Sequence, residues 1–341
     1  MPTYNGATYL AQSLDSLLKQ DYPNCELVIS DNCSTDGTRE IAREYAGRFE
    51  RFQYVRQETN LGAAANFNHV LGLARGTYFM WAADHDLWAP TFVSKCVALL
   101  EAHPKSVLAH TETMLASVDG LPIEVMDDRI DLSDGSALAR YKRLIWNIDA
   151  CNMVYGVSRL EPFRRAGGFA DVFGPDLLLL ARLVLEGTVE RIDEPLYFRR
   201  QNRAEATAEE ERVRILVDLN PAAAPERSKV SYEQQMRELR DAHLRAVGSA
   251  TMLSARERLE AAVATLACYR RRFGVRSRLV TFLFPLSRIP PLRSWVKRPP
   301  NGTRPARSVG GSGHHLPSGL PTLPRQHGRD SARDDLEVQP E

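Results

Sequence analysis

The sequence predicts an α/β fold built on a largely parallel sheet, and three observations carry that reading. Short runs such as "CELVIS" (Cys25 to Ser30) are apolar along their whole length, each ends on a polar or acidic loop, and each loop leads into an amphipathic helix. Strands that are apolar rather than alternating are those covered by helices on both faces. With 341 residues and 43% hydrophobic content, the chain can bury a substantial core.

Element by element, Leu10, Leu14, Leu17 and Leu18 share one helical face that ends near Gln20, before Pro23. "CELVIS" is a buried strand, and Ser34, Thr35 or Asp36 caps the following helix "REIAREYAGRF". "FQYVR" is a second strand. "TNLGAAANFNHVLGLARG" supplies a loop and helix, and "TYFMWAA" a third strand. Pro90 opens a helix running to about Ala102, while the stretch from Val107 to Ile148 has no clear period. "CNMVYGVSR" reads as a strand and "RRAGGF" as a turn. "GPDLLLLARLVLEG" reads as a helix with Pro175 at its start and Gly187 past its end, and "RIDEPLYFRR" as a last strand.

Beyond Ala204 two polar amphipathic helices are expected, near Glu226 to Val247 and Leu253 to Arg272. The basic, aromatic segment "RLVTFLFPLSRIPPLRSWV" follows them. That segment either packs on its own domain or lies on a membrane surface, and Pro285, Pro290 and Pro291 interrupt any continuous helix in it. The expected organisation is a catalytic-type domain over 1–204, a helical extension over 205–298, and a disordered Pro-, Gly- and Ser-rich tail over 299–341.

Charge narrows the partners. Lys and Arg total 44 against 43 Asp and Glu, a net +1 that gives no footprint for nucleic acid. The five cysteines are scattered, without a CxxC pair, which fits a reducing compartment. No apolar run reaches the roughly 18 residues of a membrane span, and the first residues lack a signal peptide's apolar core. The expected location is cytoplasmic, with peripheral contact at the inner face of the cell membrane.

Asp31 and Asp84 both fall just beyond strand carboxyl ends, where ligands gather in open sheets. Asp84-His85-Asp86 alone reads either as a polar turn or as a cation site. If the triplet is extended, its two acids face one side and His85 the other. Asp176, in the first turn of its helix, is either a favourable partner of the helix dipole or a base that the same dipole keeps ionised. Asp36 in "STDGT" organises a turn. Arg199 and Arg200 follow a strand and can neutralise phosphate.

"PTYNG" at Pro2 to Gly6, "SDNCSTDGT" at Ser30 to Thr38, "NLGAAANFN" at Asn60 to Asn68, Asp84-x-Asp86 and "FGPDLLLLARLVLEG" together resemble the family 2 glycosyltransferases. The likeness is to bacterial members that build polysaccharide or lipopolysaccharide, and it covers about residues 1–200. It implies a GT-A fold, a Rossmann-like α/β/α sandwich with a mostly parallel central sheet. The implied donor is a nucleotide-diphosphate sugar, and the implied cofactor Mn2+ or Mg2+. The implied acceptor is a glycan or lipid-linked glycan hydroxyl, attacked with inversion.

By motif, Thr3, Tyr4 and Asp31 would meet the nucleotide and Asp84 the ribose. Asn60 and Gly62 would close a loop over the donor, Asp86 would bind the metal, and Asp176 would be the base, with Asp171 a fallback. The processive synthases' Gln-x-x-Arg-Trp element is absent, which favours a single-transfer enzyme. The family's apolar first strand has only Met1 in its place, so the expectation is a start assigned too far downstream or a truncated protein that binds nucleotide poorly. A carboxylate-dependent glycan hydrolase and a non-catalytic nucleotide-sugar-binding module are the alternative functions.

Overall fold

The protein is described here by a computed structural model covering residues 1–201, 207–275 and 295–300. Leu10 and Leu14, fully buried one turn apart, seat helix α1 (Leu10–Leu18) against the core. Strands β1 (Pro2–Thr3), β2 (Glu26–Asp31) and β3 (Arg51–Arg56) form a parallel sheet in that order. Helices α2 (Thr38–Tyr45) and α3 (Ala63–Leu73) follow β2 and β3. The register sets Thr3 beside Asp31 and Asp31 beside Arg56, so these residues share one end of the sheet.

The remaining strands, β4 (Tyr78–Phe79), β5 (Leu87–Trp88), β6 (Ser106–Ala116), β7 (Pro122–Val125), β8 (Val157–Arg159) and β9 (Thr188–Arg200), make a six-stranded sheet. Its order is β4-β8-β6-β9-β5, with β7 on β6. The long β6–β9 pair is parallel, and β4, β5, β7 and β8 pair antiparallel. Helices α4 (Phe92–Ala102), α5 (Ala137–Asn147), α6 (Leu160–Arg165) and α7 (Pro175–Glu186) complete this part of the chain. Pro175 opens α7 behind a left-handed Gly174, and Gly187 lies just past its end, as expected from the sequence.

Two local readings differ. Only Tyr78–Phe79 of "TYFMWAA" joins a ladder. Trp81 is fully buried among Phe67, Phe79, Phe163 and Phe169, with ring centroids 4.5 to 5.7 Å away, so side-chain packing holds the rest of this run. In "CNMVYGVSR" a 3-10 turn over Asn152–Tyr155 precedes β8, because Gly156 presses against the Ala109 carbonyl where a Cβ would sit at 2.5 Å. The run from Val107 to Ile148, without a legible period, is the β6–β7 hairpin followed by α5.

After residue 206 come α8 (Ala208–Leu219), α9 (Ala224–Arg227), α10 (Tyr232–Ser249) and α11 (Ala255–Arg272). The expected helix from Glu226 starts instead at Tyr232, where Ser231 caps it by accepting from the Gln234 amide. Thr207 with Glu210 and Ser254 with Glu257 form capping boxes on α8 and α11. These helices join the main core: the Tyr141 hydroxyl of α5 lies 2.7 Å from Thr265 and 3.3 Å from His243. Arg272 donates to the Ile145 carbonyl at 2.7 Å, and Cys268, Ala261 and Val247 share one apolar cluster with Leu144 and Leu180.

Most of "RLVTFLFPLSRIPPLRSWV", and the tail beyond residue 300, lie outside the described residues. Among those described, no helix is long and apolar enough to cross a membrane.

His243 is fully enclosed, and burial, with Arg182 nearby, pulls its pKa from 6.5 down to about 3. The folded form therefore binds fewer protons than the unfolded chain between those values, and stability is lost as pH falls below about 6.5. Urea denaturation at pH 7 and pH 5 is expected to show a lower midpoint at pH 5. His243→Phe is expected to shrink that difference, and an unchanged difference would remove His243 from the acid sensitivity.

Candidate functional site

The site grows from loops that stitch the carboxyl ends of β1 and β2 together. The Asn5 amide donates to Ser34 Oγ at 2.9 Å, the Thr35 amide to Asn5 Oδ1 at 2.9 Å, and the Gly6 amide to Thr38 Oγ1 at 2.9 Å. Asp36 accepts from the Ala7 and Thr38 amides at 3.0 Å, and the Thr38 hydroxyl and these amides outweigh burial to hold its carboxyl below the usual range. Its turn-organising role is the one expected from "STDGT". Asn66 of α3, also buried, donates to the Ser30 carbonyl at 2.9 Å and accepts the Ser30 hydroxyl at 2.6 Å, fixing β2 from behind.

Asp31 is fully buried at the end of β2. Its oxygens accept from the Ser34 amide at 2.8 Å and the Tyr54 hydroxyl at 2.5 Å, with Arg56 Nε at 3.6 Å. Thr3 donates to Asp84 Oδ2 at 2.5 Å, closing β1 onto the acidic turn. Gly6 sits over this pair, and a Cβ there would meet Asp84 Oδ2 at 2.5 Å and Thr3 Oγ1 at 2.6 Å. Tyr4 is 47% exposed beside them. Asn60 Oδ1 accepts from Asn32 Nδ2 at 2.8 Å and from the Gly62 amide at 2.9 Å, which ties the second loop to the first. Gly62 has φ +84° and faces the Leu219 carbonyl, where a Cβ would stand at 2.3 Å. The α8–α9 joint thus covers this loop.

The triplet Asp84-His85-Asp86 forms a turn, and its two acids diverge. Asp84 faces Thr3. Asp86, 2% exposed, faces β9, accepting from the Tyr197 hydroxyl at 2.5 Å and the Arg200 amide at 2.8 Å. His85 lies between them, Nδ1 2.9 Å from Asp84 and Nε2 3.8 Å from Asp86. The extended geometry that would set both acids on one side is therefore corrected. Both Asp86 oxygens are hydrogen-bonded inside the protein, and among the described residues no three His, Cys, Asp or Glu side chains converge on a common point. A magnesium-type ion takes only one or two carboxylates, its remaining ligands being water and substrate phosphates, and Asp84, with His85 beside it, is the less enclosed acid of the pair.

The two arginines separate as well. Arg200 is buried, donating through Nε to the His85 carbonyl at 2.6 Å and through Nη2 to Gln12 at 2.8 Å. Nη1 donates to the Val118 carbonyl, and the guanidinium lies over the Tyr9 ring. Its donors hold the fold, so the phosphate reading of Arg200 is corrected. Arg199 points the other way, exposed, with Nη1 donating to Asn152 Oδ1 at 3.3 Å.

Asp176 lies at the start of α7, with the Leu177 amide 2.9 Å from its carboxyl and Cys151 and Arg199 as electrostatic neighbours. Burial raises its pKa despite those three favourable partners, the reverse of the helix-dipole expectation. Burial and the adjacent Asp176 carboxyl push the Cys151 thiol well up, so the thiol stays neutral. Asp171, the fallback base, is held by Arg227 at 2.5 Å. Tyr54, Tyr197, Cys151 and Asn152 are site residues that motif reading missed, because each acts through a contact distant in sequence. A cavity of about 460 Å³ opens at the opposite ends of β2 and β3, lined by Leu27, Val28, Val70 and Tyr78, away from these acids.

Residues 1–114 match the profile described as glycosyl transferase family 2. They carry a family 2 glycosyltransferase domain. EpsE of Bacillus subtilis (strain 168), provisionally named a glycosyltransferase, is 41% identical over 104 residues, covering 30% of this chain and 37% of EpsE. TuaG of the same organism, provisionally named a teichuronic acid biosynthesis glycosyltransferase, is 33% identical over 123 residues, covering 36% of this chain and 48% of TuaG. The chain thus spans less than half the length of these curated relatives.

In structure, it is similar to S. aureus TarS 1-349, solved in complex with UDP-GlcNAc. The TM-score is 0.59 at 19% identity, covering 86% of this chain and 76% of that one. The expected GT-A fold is therefore present, and residues 1–114 contribute the loops around Asn5, Ser34, Asn60 and Asp84 described above. Asp176, Asn152 and Arg199 lie beyond the matched residues.

Removing the Asp86 carboxyl group would leave the buried Tyr197 hydroxyl and Arg200 amide without partners. Asp86→Ala is expected to lower unfolding stability by about 2–4 kcal/mol. Chemical denaturation measures it, and a midpoint equal to the parent's would show that Asp86 carries no structural bond.

Proposed function

We propose that the protein transfers a sugar from a nucleotide-diphosphate sugar to the hydroxyl of a growing glycan, free or lipid-linked, in cell-surface polysaccharide synthesis. The observation that carries this reading is the family 2 profile over residues 1–114, whose loops at the carboxyl ends of β1 and β2 are tied to one another and to Asp84, with Asp176 and Arg199 as electrostatic neighbours on α7 and β9. Support for the donor comes from the TarS complex with UDP-GlcNAc, and for the pathway from relatives named for polysaccharide synthesis, TuaG and the colanic acid protein WcaA of Escherichia coli.

The chemistry follows from the side chains. The acceptor hydroxyl gives its proton to the Asp176 carboxylate as its oxygen bonds to the anomeric carbon from the face opposite the leaving group. The bond from that carbon to the diphosphate breaks, its electron pair stays on the phosphate oxygen, and the configuration inverts. Arg199 offsets the charge that accumulates on the diphosphate. Thr3, Tyr4, Asp31, Asn60, Gly62 and Asp84 shape the nucleotide pocket, mostly through the loop conformation that their mutual hydrogen bonds impose. A divalent cation, when bound, would be held at the acidic turn of Asp84 and Asp86 and would supply further positive charge to the departing diphosphate.

UDP-, GDP- and dTDP-sugars, incubated with glycan acceptors with and without Mn2+ or Mg2+, are expected to give a glycosylated product with at least one donor. Release of sugar to water alone would indicate a hydrolase, and binding without turnover a nucleotide-sugar-binding module.

The kcat–pH profile should rise with an apparent pKa above the ordinary aspartate range, in the direction that burial moves Asp176. Asp176→Asn is expected to keep donor binding and lower kcat by about 100-fold or more, removing that acid limb. A variant with near-parental kcat would place the base elsewhere.

A further inference from the structure

We propose that Asn152 is a positioning residue for Arg199, the last link of a buried polar chain that aims the guanidinium at the departing diphosphate. The inference rests on the reaction proposed above. Asn152 is 5% exposed, at the start of the 3-10 turn after α5. Its Nδ2 donates to Asp128 Oδ2 at 3.0 Å and to Met126 Sδ at 3.4 Å. The Thr113 hydroxyl, on β6 and 1% exposed, donates to the same Asp128 oxygen at 3.0 Å. These two acceptors orient the amide and leave Oδ1 turned to Arg199 Nη1 at 3.3 Å. With the amide reversed, NH2 would face guanidinium N–H and the carbonyl would face a carboxyl oxygen, so both contacts would be repulsive.

Thr113, Asp128, Asn152 and Arg199 come from β6, the loop after β7, the turn before β8 and the end of β9, and they form one continuous chain. Its buried end is the Thr113 hydroxyl, Asp128 joins that end to Asn152, and its exposed end is the Arg199 guanidinium. A surface arginine normally wanders among rotamers, and a buried amide held on its other side removes much of that freedom. Arg199, assigned above to the departing diphosphate, is thereby held in one direction.

The test is calorimetric binding of UDP, GDP and dTDP, and of the corresponding monophosphates, to the full chain, with thermal melts confirming folding. Asn152→Ala is expected to weaken the preferred diphosphate by about tenfold, the loss of roughly one charge-assisted hydrogen bond, while the monophosphate changes by less than about twofold. Asn152→Asp alone sets two carboxyl groups against each other and should also weaken the diphosphate. Combining it with Asp128→Asn exchanges the pair and should return affinity to within about threefold of the parent. Parental diphosphate affinity in Asn152→Ala overturns the proposal. Equal loss of mono- and diphosphate, or no recovery in the exchanged pair, also overturns it, leaving a structural role only. A parent protein that binds none of the three diphosphates overturns the proposed reaction itself, a result distinct from a variant that matches its parent.

Discussion

The buried Asp86 carboxyl group is the constraint on which the rest of the site depends. A carboxyl group removed from water needs hydrogen-bond donors, and the two it finds, the Tyr197 hydroxyl and the Arg200 amide, are both on β9. The acidic turn is thereby locked to the end of the longest strand, whose last two residues are the two arginines. Arg200 reinforces the lock by donating back to the His85 carbonyl and across to Gln12 of α1. Once β9 is held in this way, Arg199 emerges on the side where Asp176 and Asn152 stand.

The loops beyond β1 and β2 obey a similar logic. Asn5 and Cys33 adopt positive φ without being glycine, and Asn5 is held by paired bonds to Ser34 and Thr35. Asp31 faces its own loop and Tyr54, which makes it a builder of that loop. The helical extension also takes part, since the Leu219 carbonyl backs Gly62 and Arg227 holds Asp171. The first 200 residues and the extension therefore meet at the Gly62 loop and again in the core around Tyr141 and His243.

Much of this was legible in the chain. Helix α7 was readable because Pro175 and Gly187 mark its ends, and α11 because its amphipathic stretch runs from Leu253 to Arg272. Asp31 and Asp84 were placed beyond strand ends, and Asp36 in a turn, by the local rhythm of strand and loop. The direction of Asp86 was not readable, because the same three residues form an extended cation site or a turn depending on what lies opposite. Arg199 and Arg200 were equally opaque. Register shifts opposite Glu112 leave Asp193 and Glu194 outside the β6–β9 pairing, so counting by twos along β9 does not tell which arginine is buried.

Local propensity, capping and motif order thus determined the fold class, the family likeness and the set of acids available for chemistry, since each is carried by residues within a dozen positions of one another. Which acid bonds to which partner was decided only by tertiary structure. Asp86 with Tyr197, Asn152 with Arg199, and Asp176 with its raised pKa depend on burial and on contacts between residues far apart in the chain, quantities that spacing along a sequence does not contain.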